Sequence, residues 1–377
     1  MSFGKIKKPF GGKMFNNIFK GKKVLITGHT GFKGSWLSLW LLKLGANVSG
    51  LSLGEVSSPS HFSKLGIADK IDHHELDVRN RKEVISLFQE IKPDIVFHLA
   101  ANAIVRECYE NPAEAFETNL MGSINVMEAL RTLDDVQAAV MITSDKCYEN
   151  VEWEFGYRED DRLGGKDPYS ASKASAELAF STYYRSYFEE SGLRICSARA
   201  GNVIGGGDWA RDRIVPDCMK AWSLGKEVEI RNPNATRPWQ IVLEPLSGYL
   251  HLAAELMGDN GASLAGESFN FGPSASVNQP VWKLIEEMQK EWDQARYITN
   301  HNEKEAKKEA GLLKLCCDKA LFHLDWEPTL EFDKTMEMTV KWYQTFYDES
   351  MSVWDLSSKQ IDEYEALATE KGITWTK

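Results

Sequence analysis

The sequence predicts an α/β fold: a doubly wound parallel sheet joined to a smaller mixed α/β C-terminal part. Three observations predict it. Apolar, β-branched runs such as Lys23-Val-Leu-Ile-Thr27 and Val140-Met-Ile-Thr143 end abruptly in small or polar residues, as buried parallel strands do at their carboxyl ends. Strand-like and helix-like stretches alternate through the first half of the chain, the pattern of βαβ units. A glycine-rich loop, Gly28-His-Thr-Gly-Phe-Lys-Gly34, stands between the first strand and the first helix.

In order, residues 23–27 predict the first buried strand, residues 35–44 an apolar helix, and residues 47–52 the second strand. Residues 73–76 and 94–99 continue the series, residues 112–133 read as a helix, and residues 140–143 form the fifth strand. The carboxyl ends of these strands are where open α/β sheets bind ligands.

The loop has the spacing G-x-x-G-x-x-G. Its glycines let the backbone approach a pyrophosphate, and the helix N-terminus adds N–H groups and positive potential. Gly28, Thr30, Gly31, Phe32, Lys33 and Gly34 are therefore candidate dinucleotide contacts. His29 and Lys33 are unusual there; Lys33 either touches a phosphate or points to water. The end of the second strand, Leu51-Ser-Leu-Gly-Glu55, offers one nearby acid, Glu55, and no arginine for a 2′-phosphate, which favours NAD. Asp77 is a candidate for the adenine amino group, with Val78 beside it. The small residues of Leu99-Ala100-Ala101 allow close approach of the cofactor, and His98 reads as a packed strand histidine.

Composition excludes several classes. A net charge of −11 argues against a nucleic-acid binder, and the hydrophobic fraction of 43% is ordinary for a globular protein. The six cysteines form no C-x-x-C pair, which fits free thiols in a reducing cytoplasm, and no metal site is expected. No apolar run approaches the roughly 18 residues of a membrane span.

The chemistry is expected around Val140-Met-Ile-Thr-Ser-Asp-Lys-Cys-Tyr148 and Tyr169-Ser-Ala-Ser-Lys173. Asp167 is the expected N-cap and Pro168 the first residue of a helix that carries Tyr169 and Lys173 on one face. A tyrosine with a pKa of about 10 is a poor base near neutrality; an ammonium one turn away should lower it. With Thr143 bonding the same oxygen, the set suits taking the proton of an alcohol whose carbon gives up a hydride.

From about residue 22 to about 343, the chain resembles the extended short-chain dehydrogenase/reductases. The resemblance rests on Thr27-Gly-His-Thr-Gly-Phe-Lys-Gly34, His98-Leu-Ala-Ala101, Thr118-Asn119 with Gly122, and Tyr169-x-x-x-Lys173. Within them, Thr143-Ser-Asp-Lys-Cys-Tyr148, Ala200-Gly-Asn-Val-Ile-Gly-Gly-Gly-Asp-Trp209 and Arg237-Pro-Trp-Gln-Ile-Val-Leu-Glu-Pro245 look like nucleotide-sugar 4,6-dehydratases of the branch that takes CDP-glucose. The resemblance implies a Rossmann fold, NAD (with Asn119 among its contacts), a 4-keto-6-deoxy sugar product, and a homodimer or dimer of dimers. It makes Asp145 the acid for the departing C6 hydroxyl; a mere turn cap is the alternative. Lys146 stands where most such dehydratases carry a glutamate base for the C5 proton. A lysine serves there either as a neutral base or as a cation beside the enolate.

The resemblance also implies substrate contacts at Asn202 and Arg213. Arg237 is the main diphosphate candidate, since guanidinium binds phosphate bidentately, and Arg106 is a further one. Glu244 and Asn270 are expected to organise the fold. The expected divisions are 1–21, a flexible basic extension; 22–199, the NAD-binding domain with the catalytic residues; 200–347, mainly substrate-binding; and 348–377, a helical tail. Competing readings are a dehydratase for another nucleotide sugar, a 4-epimerase, which would not need Asp145, and a silent NAD-binding regulator, which would not need the catalytic set.

Overall fold

Buried parallel strands need apolar residues on both faces, and the central strands of this chain supply them. In the computed structural model, which describes residues 14–55, 57–211, 213–230, 232–274, 277–293, 295–299 and 312–377, they are β1 (Lys23–Thr27), β2 (Asn47–Ser52), β3 (Asp72–Glu75), β4 (Ile95–His98), β5 (Ala138–Ile142), β6 (Ile195–Ala200) and β7 (Ser268–Phe271). They form one seven-stranded sheet in the order β7-β6-β5-β4-β1-β2-β3. Every neighbouring pair is parallel. The order reverses at β1, beside β4, and that switch point is where the glycine loop emerges.

Alternation along each strand sorts side chains into two layers. Val24, Ile26, Val140 and Ile142 face one layer, which contains Trp36 and Trp40 of α1 (Phe32–Lys43). Leu25, Val96, Ala139 and Met141 face the other, built on α2 (Arg81–Ile91), α3 (Gly122–Leu130) and the C-terminal end of α4 (Pro168–Tyr183). Helix α1 starts at Phe32, three residues earlier than the apolar pattern alone suggested, because the glycine loop itself turns into the helix. The expected helix 112–133 is interrupted by a π turn, Glu117–Met121, a distortion often found at functional sites.

One expectation about the ends is corrected and the other holds. Residues 1–13 lie outside the described residues, but from Met14 onward the extension is packed rather than flexible. Phe15 and Phe19 are each 1% exposed, and Phe15 stacks on Trp375 at 5.1 Å. The Asn16 N–H donates to the carbonyl of Lys377 at 3.0 Å. The tail is helical as expected: α7 (Val353–Lys371) packs on α1 and on α6 (Phe332–Tyr347), and α5 (Leu243–Met257) also meets α1. Burying these aromatic rings offsets the entropy of ordering both ends.

Nor does residue 199 separate two cores, since β7, from the expected substrate part, pairs with β6. Glu244 and Asn270 organise the fold as expected. Buried Glu244 accepts from the N–H groups of Thr329 and Leu330 and from the Tyr364 hydroxyl. Asn270 accepts from Tyr148 and donates to the carbonyls of Tyr157 and Cys316.

Candidate active site

The glycine loop is tight for identifiable reasons. A Cβ at Gly28, where φ is +77°, would lie 2.7 Å from the Ala100 nitrogen, and one at Gly34 would lie 2.2 Å from the Gly28 oxygen. The two glycines thus let β1, the 99–101 strip and α1 converge. Gly31 caps α1 without any side-chain hydrogen bond, so the first N–H groups of the helix face the loop uncovered by a side chain. Thr30 ties the loop to the end of β2 through Ser52 Oγ at 2.7 Å. The nearby Glu55 accepts from the hydroxyl of Ser60, the cap of a short helix. This cradle fits a dinucleotide phosphate.

His29 and Lys33 both turn inward. His29 is buried, bonded to His73 at 2.7 Å, over Gly50, where a Cβ would meet its ring at 2.3 Å. The Lys33 ammonium does not point to water. It donates to the Tyr249 hydroxyl at 3.3 Å, and burial pushes its pKa down to about 7 against the pull of Asp145.

Around the remaining cofactor candidates the protein makes its own bonds. Both carboxylate oxygens of Asp77 are held by Arg79, at 2.8 and 3.1 Å from its Nε. Val78 packs under Gly122. The Asn119 side chain bonds the backbone of Asn102 in both directions and donates to Ser172 Oγ at 2.9 Å. It braces the segment after β4 against α4. Leu99, Ala100 and Ala101 are partly exposed beside Gly28. His98 is a packed strand histidine, bonded to Thr27 and Ser123 at 2.7 and 2.9 Å.

Asp167 caps α4 by accepting from the N–H of Ser170 at 3.0 Å, with Pro168 in the first turn. This sets Tyr169 into a small apolar cluster with Cys108, Ala115 and Val105. The hydroxyl beside it is not that of Thr143. Alternation puts Thr143 on the same side as Ala139 and Met141, where its Oγ1 donates to Glu177, about 12 Å along α4 from Tyr169. Ser144, on the opposite side, is near enough to the Tyr169 phenol to lower its pKa, donates to Asp145 Oδ1 at 3.1 Å and accepts from the Lys146 N–H at 3.2 Å. Sequence reasoning missed Ser144, although strand period two carried the signal once the buried face of Val140 and Ile142 was known.

Glu177 was also missed. It is buried, accepts from Thr143 and Ser197, and pairs with Arg199 at 2.7 Å. Burial would raise its pKa, but the Arg199 guanidinium and these hydrogen bonds hold it below the ordinary range. The network clamps β5, β6 and β7 to α4.

Asp145 is 4% exposed. Burial raises its carboxyl pKa, opposed by Lys146, Ser144, Lys33 and Arg237. Gly201 makes room for it, since a Cβ there would lie 2.9 Å from Asp145 Oδ2. The Lys146 ammonium stands 5.9 Å over the Tyr169 ring. Burial also pushes the Tyr169 phenol up to about 12; Ser144 and Arg213 oppose this and Asp145 reinforces it. Lys173 reaches the Ile142 carbonyl at 3.4 Å, and burial depresses it to about 8. The expectation that Lys173 lowers the phenol's pKa therefore does not hold in the protein alone: both groups are buried, and burial drives each toward neutrality.

Of the substrate candidates, Arg213 pairs with Asp208 at 2.8 Å and is near enough to act on Tyr169. Arg237 is near enough to act on Asp145. Asn202 lies one residue beyond Gly201 and is partly exposed, whereas Arg106 is exposed on the helix Val105–Glu110. Among the described residues, no group of three or more His, Cys, Asp or Glu side chains could hold a metal, and no helix is long and apolar enough to cross a membrane.

A glycine-loop sheet, a tyrosine–lysine helix and a buried acid at the end of β5 define a sugar-nucleotide epimerase/dehydratase. The chain belongs to the family described as GDP-mannose 4,6 dehydratase, whose model matches residues 25–339. It is 42% identical over 363 residues to the CDP-glucose 4,6-dehydratase of Salmonella typhimurium (strain LT2), covering 94% of this chain and 99% of the relative. Together these make it a sugar-nucleotide 4,6-dehydratase. Solved structures share the fold. The epimerase Mth375 of Methanothermobacter thermautotrophicus aligns with a TM-score of 0.75 at 24% identity, over 91% of this chain and 98% of that one. The dTDP-glucose 4,6-dehydratase of Bacillus anthracis, solved in complex with NAD, aligns with a TM-score of 0.70 at 19% identity, over 87% and 98%.

Given this geometry, Ser144→Ala should lower kcat by about 10- to 100-fold, the range of one hydrogen bond to a charged group. Thr143→Ala should act mainly on stability. Steady-state kinetics beside thermal unfolding checks this; the reverse pattern would return the role to Thr143.

Proposed function

We propose that this protein converts CDP-glucose to CDP-4-keto-6-deoxyglucose and water, using NAD retained through the cycle. The observation that carries this reading is Asp145, a buried acid with a raised pKa bonded to the same Ser144 hydroxyl that meets Tyr169. An epimerase that only oxidises and reduces C4 needs no such acid.

NAD, when bound, supplies the acceptor for the C4 hydride and its return to C6. The Gly28–Gly34 loop would hold its phosphates, with the strip 99–101 and Tyr169 and Lys173 nearer the reacting end. In this reading Tyr169 takes the C4 hydroxyl proton while Ser144 steadies the same oxygen. The 4-ketone acidifies C5–H. Lys146 serves C5, as neutral base or as the cation beside the enolate, and Asp145 protonates the leaving C6 hydroxyl. Arg237 and Arg213 bind the diphosphate region, with Asn202 beside them. A homodimer is part of the proposal; exposed Leu178 on α4 and Tyr187 just beyond it support a self-associating face.

The test uses CDP-glucose deuterated at C4, beside a panel of other nucleotide-glucose compounds. The deuterium should appear at C6 of the same sugar, with CDP the preferred nucleotide. Label lost to solvent or free cofactor would sink the internal transfer, and label retained at C4 of a galactose-configured product would establish epimerisation instead.

A further inference from the structure

The first turn of α1 is connected to the C-terminal tail by a one-way chain of buried hydrogen bonds. The direction is set at the far end: a carbonyl only accepts, so Ser35 donates to Phe32, and the neutral His61 then carries its hydrogen on Nδ1 and accepts at Nε2. The Trp342 indole N–H donates to Ser357 Oγ at 3.0 Å. With Nε2 the acceptor, the Ser357 hydroxyl donates to it at 3.0 Å. His61 Nδ1–H in turn donates to Ser35 Oγ at 2.9 Å, and the Ser35 hydroxyl donates to the Phe32 carbonyl at 2.9 Å. Every polar hydrogen in the chain is used once, and the imidazole tautomer is determined. Burial keeps His61 neutral by pushing its pKa down to about 3.

The surroundings hold the relay rigid. His61 stacks on Trp36 at 4.7 Å and meets Trp342 edge-on at 5.8 Å. Trp36 donates to the Gly206 carbonyl at 2.9 Å. Gly206 and Gly207 have no room for a Cβ, which would lie 2.0 Å from Trp342 and 2.6 Å from His61 respectively. The relay ends on Phe32, next to Gly31 of the dinucleotide loop.

We propose that the Trp342–Ser357–His61–Ser35 relay is a positioning device for the dinucleotide loop, through which the C-terminal tail sets cofactor affinity. The inference rests on the NAD reading above. None of these four residues is assigned to touch the cofactor or the substrate; they act through the backbone of Phe32. A chain of oriented bonds in a dry interior is stiffer than its separate members, and a loosened loop must be ordered anew when the cofactor binds.

The test compares Ser357→Ala and Ser35→Ala, which break the relay at two places, with Glu365→Leu. The last removes a different anchor of the tail on α1, the acceptor 2.8 Å from the Trp40 indole N–H. Dissociation constants for NADH and for CDP are measured on each full-length protein, well below its Tm. The expected result is an NADH Kd raised about tenfold in both relay variants, one hydrogen bond's share, with the CDP Kd unchanged. Glu365→Leu should lower Tm and leave the NADH Kd alone. An unchanged NADH Kd in a folded Ser357→Ala protein would overturn the proposal, as would an equal rise in Glu365→Leu. Failure of the unsubstituted protein to bind NADH would overturn the NAD reading itself.

Discussion

Replacing Asp145 by asparagine is expected to stop the reaction after oxidation. Elimination should slow by about 10²–10⁴-fold, the usual range for a lost general acid. The amide keeps the shape and can still accept from Ser144, so the Ser144–Tyr169 pair and the first proton removal stay in place. What it cannot do is give a proton to the C6 hydroxyl. Substrate should therefore draw the cofactor into its reduced form and hold it there, read as NADH-like absorbance that builds and persists.

The pH profile separates this role from a structural one. Burial raises the Asp145 carboxyl above its ordinary range against the pull of Lys146 and Lys33. A raised pKa extends the protonated, acid-competent form to higher pH, and that form is lost as pH rises through the shifted value. Elimination by the native protein should fall on the alkaline side with that titration, and the asparagine variant should lose the dependence. A variant that releases water at the native rate would assign the acid elsewhere.

The sheet was legible because its central strands are apolar on both faces, so β1, β4 and β5 announce themselves as short apolar runs. Strand β7 did not: Ser268-Phe-Asn-Phe271 is four residues long, and its place depends on a partner far earlier in the chain. The N-terminal extension was misjudged for a related reason. Phe15 and Trp375 look like isolated aromatics in polar termini, and only their meeting across the sequence buries both. In the site, local chemistry was readable and facing was not. Asp167, Pro168, Tyr169 and Lys173 follow from helix rules. The choice between Thr143 and Ser144 requires knowing which side of β5 meets Tyr169, a one-residue matter that composition does not settle. Glu177 and Arg199 escaped notice because a buried ion pair is recognisable only once both members are seen to be buried.

Tyr169→Phe is expected to abolish nearly all turnover, by about 10²–10⁴-fold, while the fold and NAD affinity survive. The ring still fills the cluster of Cys108, Ala115 and Val105, so no cavity forms. The kinetic loss is large because, in the proposed reaction, the phenol oxygen receives the C4 proton and no other group beside Ser144 is free to take it. Asp145 is committed to C6, and the Lys173 ammonium is turned to the Ile142 carbonyl. With burial holding the free phenol near 12, the group is protonated at neutrality, and only added positive charge can bring it into range. An oxidised nicotinamide, when bound, would supply such a charge in addition to those of Arg213 and Lys173. Native cofactor reduction should therefore rise with pH through an acid limb that moves to lower pH when oxidised cofactor is bound, and the phenylalanine variant should show a flat limb. Rapid-mixing measurement of cofactor reduction by substrate isolates this step from elimination. Near-native reduction in Tyr169→Phe would remove Tyr169 as the base and leave Ser144 with Lys146 as the pair to examine.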